Sequence, residues 1–273
     1  MIVERTRVSA EWLALREPAD AAARARDLVE HLRRHLAATR GLVIHDLASG
    51  TGSMGRWLAP LLPGAQRWVL HDLDTDLLDV AAADRPGPAA DGASVFVETR
   101  RTDVNQLGPD ELADATLITA SALLDLLTHD ELAGLIDACT EAGCPVLLSL
   151  SVVGRVDLAP ADPLDSRVAA AFDAHQRRWT ARGRLLGPDA VGAAVEGFRR
   201  LGAEVLLRPS PWQLGAAESD LAAEWFAGWI SAACEQSPDL ASAIGSYARR
   251  RLADARGGEL VVTVGHADLL VLP

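Results

Sequence analysis

Short apolar runs alternate along the chain with amphipathic stretches, the rhythm of strand followed by helix. Leu42-Val43-Ile44-His45-Asp46-Leu47 is apolar and β-branched, the profile of a strand buried on both faces. Further strands are expected at 67–72, 93–99, 114–121, 145–153 and 203–207. A last strand is expected at 259–264 and 268–271, interrupted near Gly265-His266. Helical periodicity fills the gaps at 56–62, 75–83, 128–142, 163–182, 188–201, 218–234 and 238–256. Thr128 with Glu131 forms a capping box, Gly143 stops that helix, and Pro188 suits a first turn. Trp225, Phe226 and Trp229 fall at helical spacing and read as core. Residues 9–39 read as two helices, with Ser9 as N-cap and a break at Pro18.

The first strand runs into Ala48-Ser49-Gly50-Thr51-Gly52-Ser53-Met54-Gly55, a loop of small residues that lets backbone approach a ligand closely. The second strand ends in Asp72. A glycine loop after one strand and an acid after the next is how α/β folds hold adenosine-containing ligands, by backbone amides and ribose hydrogen bonds. Gly50 to Gly55 is also literally G-x-G-x-x-G with Asp72 about twenty residues on, the spacing of a dinucleotide fingerprint, so an NAD(P)-binding oxidoreductase is a competing reading. That fingerprint, however, sets its first glycine almost at the strand end and has no need of an acid before the loop.

Asp46-Leu47-Ala48-Ser49-Gly50-Thr51-Gly52 resembles the D-x-G-x-G-x-G motif of class I S-adenosylmethionine (SAM)-dependent methyltransferases, with Ala48 where the family usually has its first glycine. The resemblance covers residues 42–153 by motif and the remainder by order of elements. It implies a Rossmann-like seven-stranded sheet in the order 3-2-1-4-5-7-6, the last strand antiparallel. It also implies a domain plan: residues 1–40 as a helical cap, and 41–273 as the methyltransferase domain with helical insertions around 160–185 and 217–256, the additions forming a lid. The implied cofactor is SAM, with S-adenosyl-L-homocysteine (SAH) as product. Its site would comprise Asp46, Ala48, Ser49, Gly50 and Gly52, then Asp72 on the ribose with Leu73 beside it, and Asp103 and Val104 at the adenine. Ala120 and Ser121, at the end of the central strand, would face the transferred methyl, and Arg16 could clamp the methionine carboxylate bidentately.

Composition narrows the acceptor. A formal net charge of −12 argues against nucleic-acid binding by phosphate neutralisation, and the chain has no lysine, which excludes Walker-A and Schiff-base chemistry from its own residues. No apolar run is long enough to span a bilayer, and Met1 to Arg7 lack the hydrophobic stretch of a leader, so a cytoplasmic location is the expectation. Cys139, Cys144 and Cys234 lack metal or disulfide spacing, and His31 with His35 has no third ligand, so no metal is expected. A small-molecule acceptor in a covered pocket is the reading. A tRNA or protein acceptor, supported only by the Arg249 cluster, and a non-catalytic SAM-binding regulator are the alternatives. If the acceptor must lose a proton, His175 is the expected base, with Asp125 orienting the acceptor across the cavity; His129 is more distant. His45 and His71 directly precede strand-end acids and should point away from the ligand.

Overall fold

A computed structural model describes residues 8–273; Met1 to Arg7, read above as lacking a leader, lie outside the described residues. The chain opens with α1 (Ala10–Ala23), capped by the Ser9 side chain accepting from the Trp12 amide, and α2 (Arg26–His35). The expected break at Pro18 does not occur. Ties on either side of the proline, Glu17 to Arg56 and Asp20 to Arg16, keep α1 helical, and the chain turns instead at Arg24-Ala25.

The alternation then runs β1 (Leu42–Leu47), α3 (Ser53–Leu58), β2 (Gln66–Asp72), α4 (Thr75–Ala83), β3 (Val95–Arg101), α5 (Pro109–Leu112) and β4 (Leu117–Ser121). It continues through α6 (His129–Ala142), β5 (Val146–Ala159), α7 (Asp165–Gln176), a small hairpin β6 (Trp179–Thr180) and β7 (Gly183–Arg184), and α8 (Ala190–Arg200). The chain ends with β8 (Glu204–Pro209), β9 (Trp212–Leu214), α9 (Ser219–Gln236), α10 (Pro238–Ala243), α11 (Gly245–Arg256) and β10 (Val261–Leu272).

The sheet order is β3-β2-β1-β4-β5-β10-β8, with β1 to β5 parallel and β10 antiparallel to both neighbours, which is the expected order with β10 and β8 in the last two places. From β1 the chain winds outward to β2 and β3, then crosses back to β4 and β5. That reversal opens a crevice at the carboxyl ends of β1 and β4.

Several elements differ from the sequence reading. Helix α3 starts at Ser53, straight out of a left-handed Gly52, and not at 56. The helix expected over 163–182 stops at Gln176, because the Thr180 hydroxyl bonds the Gly183 carbonyl and the Arg182 amide, and this local alternative favours a hairpin. The single helix expected over 238–256 is divided at Ile244, whose side chain is buried. Strand β5 runs six residues beyond its expected end. Strand β10 passes through Gly265-His266 with register shifts in place of a gap, and β9, not anticipated, pairs with its first half.

One core layer, from α6 and α8, covers one face of the sheet; a second, from α2, α3 and α4, covers the other, with Leu28, Leu32, Trp68 and Ile44 fully buried. A third core gathers α7, α9 and α11 on the long ends of β5 and β10 around Phe226, Trp229 and Tyr247. Burial of each such side chain contributes roughly 1.5–3 kcal/mol. The aromatic triad at helical spacing is therefore core, with Trp225 stacked on Trp229 at 5.4 Å. No helix among the described residues is long and apolar enough to cross a membrane.

Candidate functional site

Backbone builds the first half of the site. After β1, the loop bends through Ala48 (φ 51), Gly50 (φ 54) and Gly52 (φ 80), left-handed conformations that cost a side chain energy. The Ser49 amide donates to the His71 carbonyl at 2.9 Å, and the Gly50 amide donates to Asp72 Oδ2 at 2.8 Å. Asp72 Oδ1 accepts from the Asp74 amide, so this carboxylate is fixed against the glycine loop by two backbone donors. A Cβ on Gly50 would lie 3.0 Å from Leu13 Cδ1 of α1, which packs directly on the loop. Among the described residues, three non-glycine residues have positive φ: Ala48, Ala122 and Leu150. They sit at the ends of β1 and β4 and within β5, so the strain is concentrated along one edge of the sheet, as it is at many functional sites.

Leu13, Arg16 and Asp20 of α1 close a cleft against Asp46, Ala48 to Thr51, Ser53, Met54, Ser121 and Ala122. Arg16, Asp46, Ala48, Ser49, Gly50 and Ser121 thus line one cleft. Gly52 caps α3 next to the cleft, and Ala120 is buried one residue before Ser121. Asp103 caps the turn Val104–Gln106, accepting from the Asn105 amide, and Val104 packs on the first core layer. Leu73 follows Asp72 and is partly exposed.

Electrostatics single out Asp46, which lines this cleft, and Arg24, buried behind its lining residue Ser121. Asp46 is buried, accepts from the Thr119 hydroxyl at 2.7 Å through Oδ1, and leaves Oδ2 without a partner. Burial pushes its carboxyl up to about 7, against the Thr119 bond and the field of Arg24. Arg24, at the turn between α1 and α2, is 2% exposed and was not anticipated from the sequence. Its Nη2 donates to Ser121 Oγ at 3.2 Å, while Nε and Nη1 have no hydrogen-bond partner. Desolvation lowers its pKa, opposed by Asp20, Asp268 and Asp46. Arg16, the expected clamp, is already engaged: it forms a two-pronged pair with Asp20 (2.9 and 3.2 Å) and lies over the Trp212 ring. Asp20 also accepts from Trp212 Nε1 at 2.9 Å.

Across the sheet, Asp268 of β10 accepts from the Ala25 amide, the Leu150 amide and the Ser210 hydroxyl, at 2.8, 2.8 and 2.6 Å. One carboxylate thereby holds the α1–α2 turn, the strained residue of β5 and the end of β8 to a single point. Its neighbour His266 packs against Trp212; burial and Arg16 push its pKa down to about 3, so the ring is neutral. Asp125 follows β4; desolvation pushes its carboxyl up to about 6, against the opposing fields of Arg16 and Arg178. His175 is not brought to the cleft: its Nε2 faces Glu235 of α9 at 3.3 Å. His45 and His71 point away as expected, forming a buried chain from Asp114 through both rings to Thr102. Burial keeps both rings neutral, with His71 pushed down to about 4.

Asp20 and Arg24 belong to the charged cluster around Arg16 at the junction of the cap helices, where the sequence assigns them no role of their own, and Asp268 carries no local signal. Arg24 stands in an alanine- and arginine-rich stretch where an arginine reads as solvated, and Asp268 reads as the first residue of the last strand's second part. Only the meeting of the α1–α2 turn with β10 gives them a role.

No family model matches the chain, and no curated protein matches its sequence. Solved structures do match. A SAM-dependent methyltransferase from Geobacter sulfurreducens in complex with SAH is 15% identical over 97% of this chain and 98% of that one, with a TM-score of 0.44. A cyclopropane synthase from Mycobacterium tuberculosis is 15% identical over 97% and 94%, with a TM-score of 0.49. The magnesium protoporphyrin IX methyltransferase of Synechocystis, with bound SAH, is 13% identical over 76% and 83%, at 0.44. At such identities a likeness concerns fold alone. The strand order and the strand-end crevice, observed directly, are those of the class I SAM-dependent methyltransferase fold.

Proposed function

We propose that the chain is a SAM-dependent methyltransferase acting on a small molecule. The observation that carries this reading is a cleft lined by Asp46 and Ser121, with the buried Arg24 behind Ser121 and Asp72 bonded to the glycine loop beside it. Arg24 and Asp46 are a buried cation and a buried acid, each with unused hydrogen-bonding capacity beside Ser121. A carboxylate matches the free N–H groups of a guanidinium, and an ammonium matches a free carboxylate oxygen. On the other side of the loop, each oxygen of Asp72 takes one backbone donor, and the remaining lone pairs suit ribose hydroxyls. A ligand with an amino-acid end and an adenosine end fits this set, whereas a dinucleotide carries no ammonium and carboxylate on one carbon to match Asp46 and Arg24 side by side.

In this reading Arg24 holds the methionine carboxylate, Asp46 with Ser121 the ammonium side, Asp72 the ribose, and Asp103 and Val104 the adenine. When bound, SAM supplies an electrophilic methyl group on a sulfonium. The protein's own work is to align the acceptor and exclude water, which α1 does by covering the loop with Leu13. Asp125, just past β4, serves as the polar group for the acceptor. The net charge of −12 disfavours an RNA acceptor.

Isothermal titration tests the cofactor. SAH is expected to bind at micromolar strength or better and NAD not measurably; NAD binding without SAH binding overturns the proposal. Conversion of SAM to SAH with an acceptor then separates an enzyme from a regulator.

A further inference from the structure

Three neighbouring strand ends repeat one small pattern. His45 precedes Asp46 on β1, His71 precedes Asp72 on β2, and Thr102 precedes Asp103 just after β3. Successive residues of a strand point to opposite faces, so the two histidines stand on the face away from Asp46 and Asp72. There they join Thr102 in a single chain of hydrogen bonds. Asp114, paired with Arg67 and therefore ionised, fixes its direction, because a carboxylate can only accept. His45 donates Nε2–H to Asp114 Oδ1 at 2.9 Å. Its bare Nδ1 accepts from His71 Nε2–H at 3.0 Å, and His71 Nδ1 accepts from the Thr102 hydroxyl at 3.3 Å. Burial keeps both rings neutral, as this arrangement requires, and their planes lie within 22° of each other.

The chain crosses the strands on a diagonal. His71 is level with Leu47, two residues beyond His45, and Thr102 lies two residues beyond Arg100, the partner of His71. Slipping either histidine's strand by one residue would turn its ring to the opposite face and break its bonds in the chain. Polar groups are costly at this place: both histidines are buried, and Val43, Leu47 and Val69 on the same face are apolar. Leucines could pack there and need no partners, so what the chain adds is a defined register. Backbone carries that register to the ligand side. The His71 carbonyl accepts from the Ser49 amide of the glycine loop, and the Asp72 carbonyl accepts from the Thr102 amide, both at 2.9 Å.

We infer that His45, His71 and Thr102 are positioning residues for the cofactor: they hold three strand ends in the one register that presents Asp46, Asp72 and Asp103 to a single ligand. None of the three touches that ligand; each acts through the acid that follows it. The inference rests on the SAM reading for the role of the acids, and the experiment separates the two.

SAH is first titrated into the unaltered protein; if it does not bind, the cofactor reading falls and this inference with it. If it binds, the variants decide. Replacing both rings by leucine, His45→Leu with His71→Leu, removes donor and acceptor together, so the sheet should still fold by circular dichroism. SAH should nevertheless bind about tenfold or more weaker to that pair. His71→Gln, which keeps an Nε2 donor toward His45, should recover most of the loss. Combined with Asp72→Ala, the leucine pair should cost clearly less than the two losses added, because part of what it positions is already gone. If the leucine pair does not fold, Thr102→Val, which removes only a hydroxyl, takes its place in the same cycle, with a loss of about threefold expected. Unaltered SAH affinity in the folded leucine pair or in Thr102→Val, losses that add fully to that of Asp72→Ala, or no rescue by glutamine overturns the inference.

Discussion

The two sides of the strand-end crevice are built from different materials. On the β1–β2 side, ligand-facing groups are mostly backbone, set by a loop whose left-handed residues and amide-to-Asp72 bonds leave it little freedom. On the β5–β10 side the walls are side chains, Arg16 over Trp212 and Trp212 against His266, borrowed from elements that meet only in the folded chain. A backbone cradle suits a ligand that never changes. A side-chain wall can be altered residue by residue without disturbing the sheet, which is where acceptor choice belongs. Asp268 is the joint between the two, since its oxygens hold the α1–α2 turn, Leu150 and Ser210 together.

Breaking that joint should have the largest effect. Asp268→Ala leaves a buried hydroxyl and two backbone donors without their acceptor and removes a counter-charge to Arg24. A loss of about 3–5 kcal/mol in unfolding free energy is expected, read by urea denaturation, with SAH affinity falling as well. A change under about 1 kcal/mol would mean that the two sides stand independently.

The next test divides the arginines of the cap. Arg24→Gln should weaken SAH binding by about 1.5–3 kcal/mol, the worth of hydrogen bonds to a charged group, whereas Arg16→Gln should alter it by less than about threefold. The reverse outcome in titration calorimetry would give the cofactor to Arg16 and the acceptor side to neither.

The smallest effect is one of pH. Asp46 holds a proton below about pH 7 in the free protein. A cofactor ammonium favours the ionised form, so binding must release that proton at lower pH. The SAH dissociation constant should therefore be flat above pH 7 and rise by up to about tenfold per unit below it. Asp46→Asn should flatten the profile. For stability the sign is opposite: a carboxyl whose folded pKa is raised contributes fully below about pH 4, and that contribution is lost as pH rises through 7.

What could be read in the sequence follows the same division. β1, α4 and the capping box at Thr128 lie where local pattern and tertiary role agree, and their limits matched the expectation closely. The glycine loop, Asp46 and Asp72 were legible because the cradle is contiguous in the chain. The role of Arg24 was not, because it depends on contacts between segments distant in sequence. His175 shows the converse: its composition of neighbours suggested a site, but the stop at Gln176 and the hairpin beyond it turn the imidazole toward Glu235.

Ala48 has a consequence beyond its strain. A glycine there would reach the same left-handed turn without cost, whereas alanine gives up more in the folded loop than it gains by narrowing the unfolded chain. The turn at Ala48 therefore persists only because its surroundings hold it, the Ser49 amide on the His71 carbonyl and the Gly50 amide on Asp72. The loop is a spring kept loaded by the strand beside it.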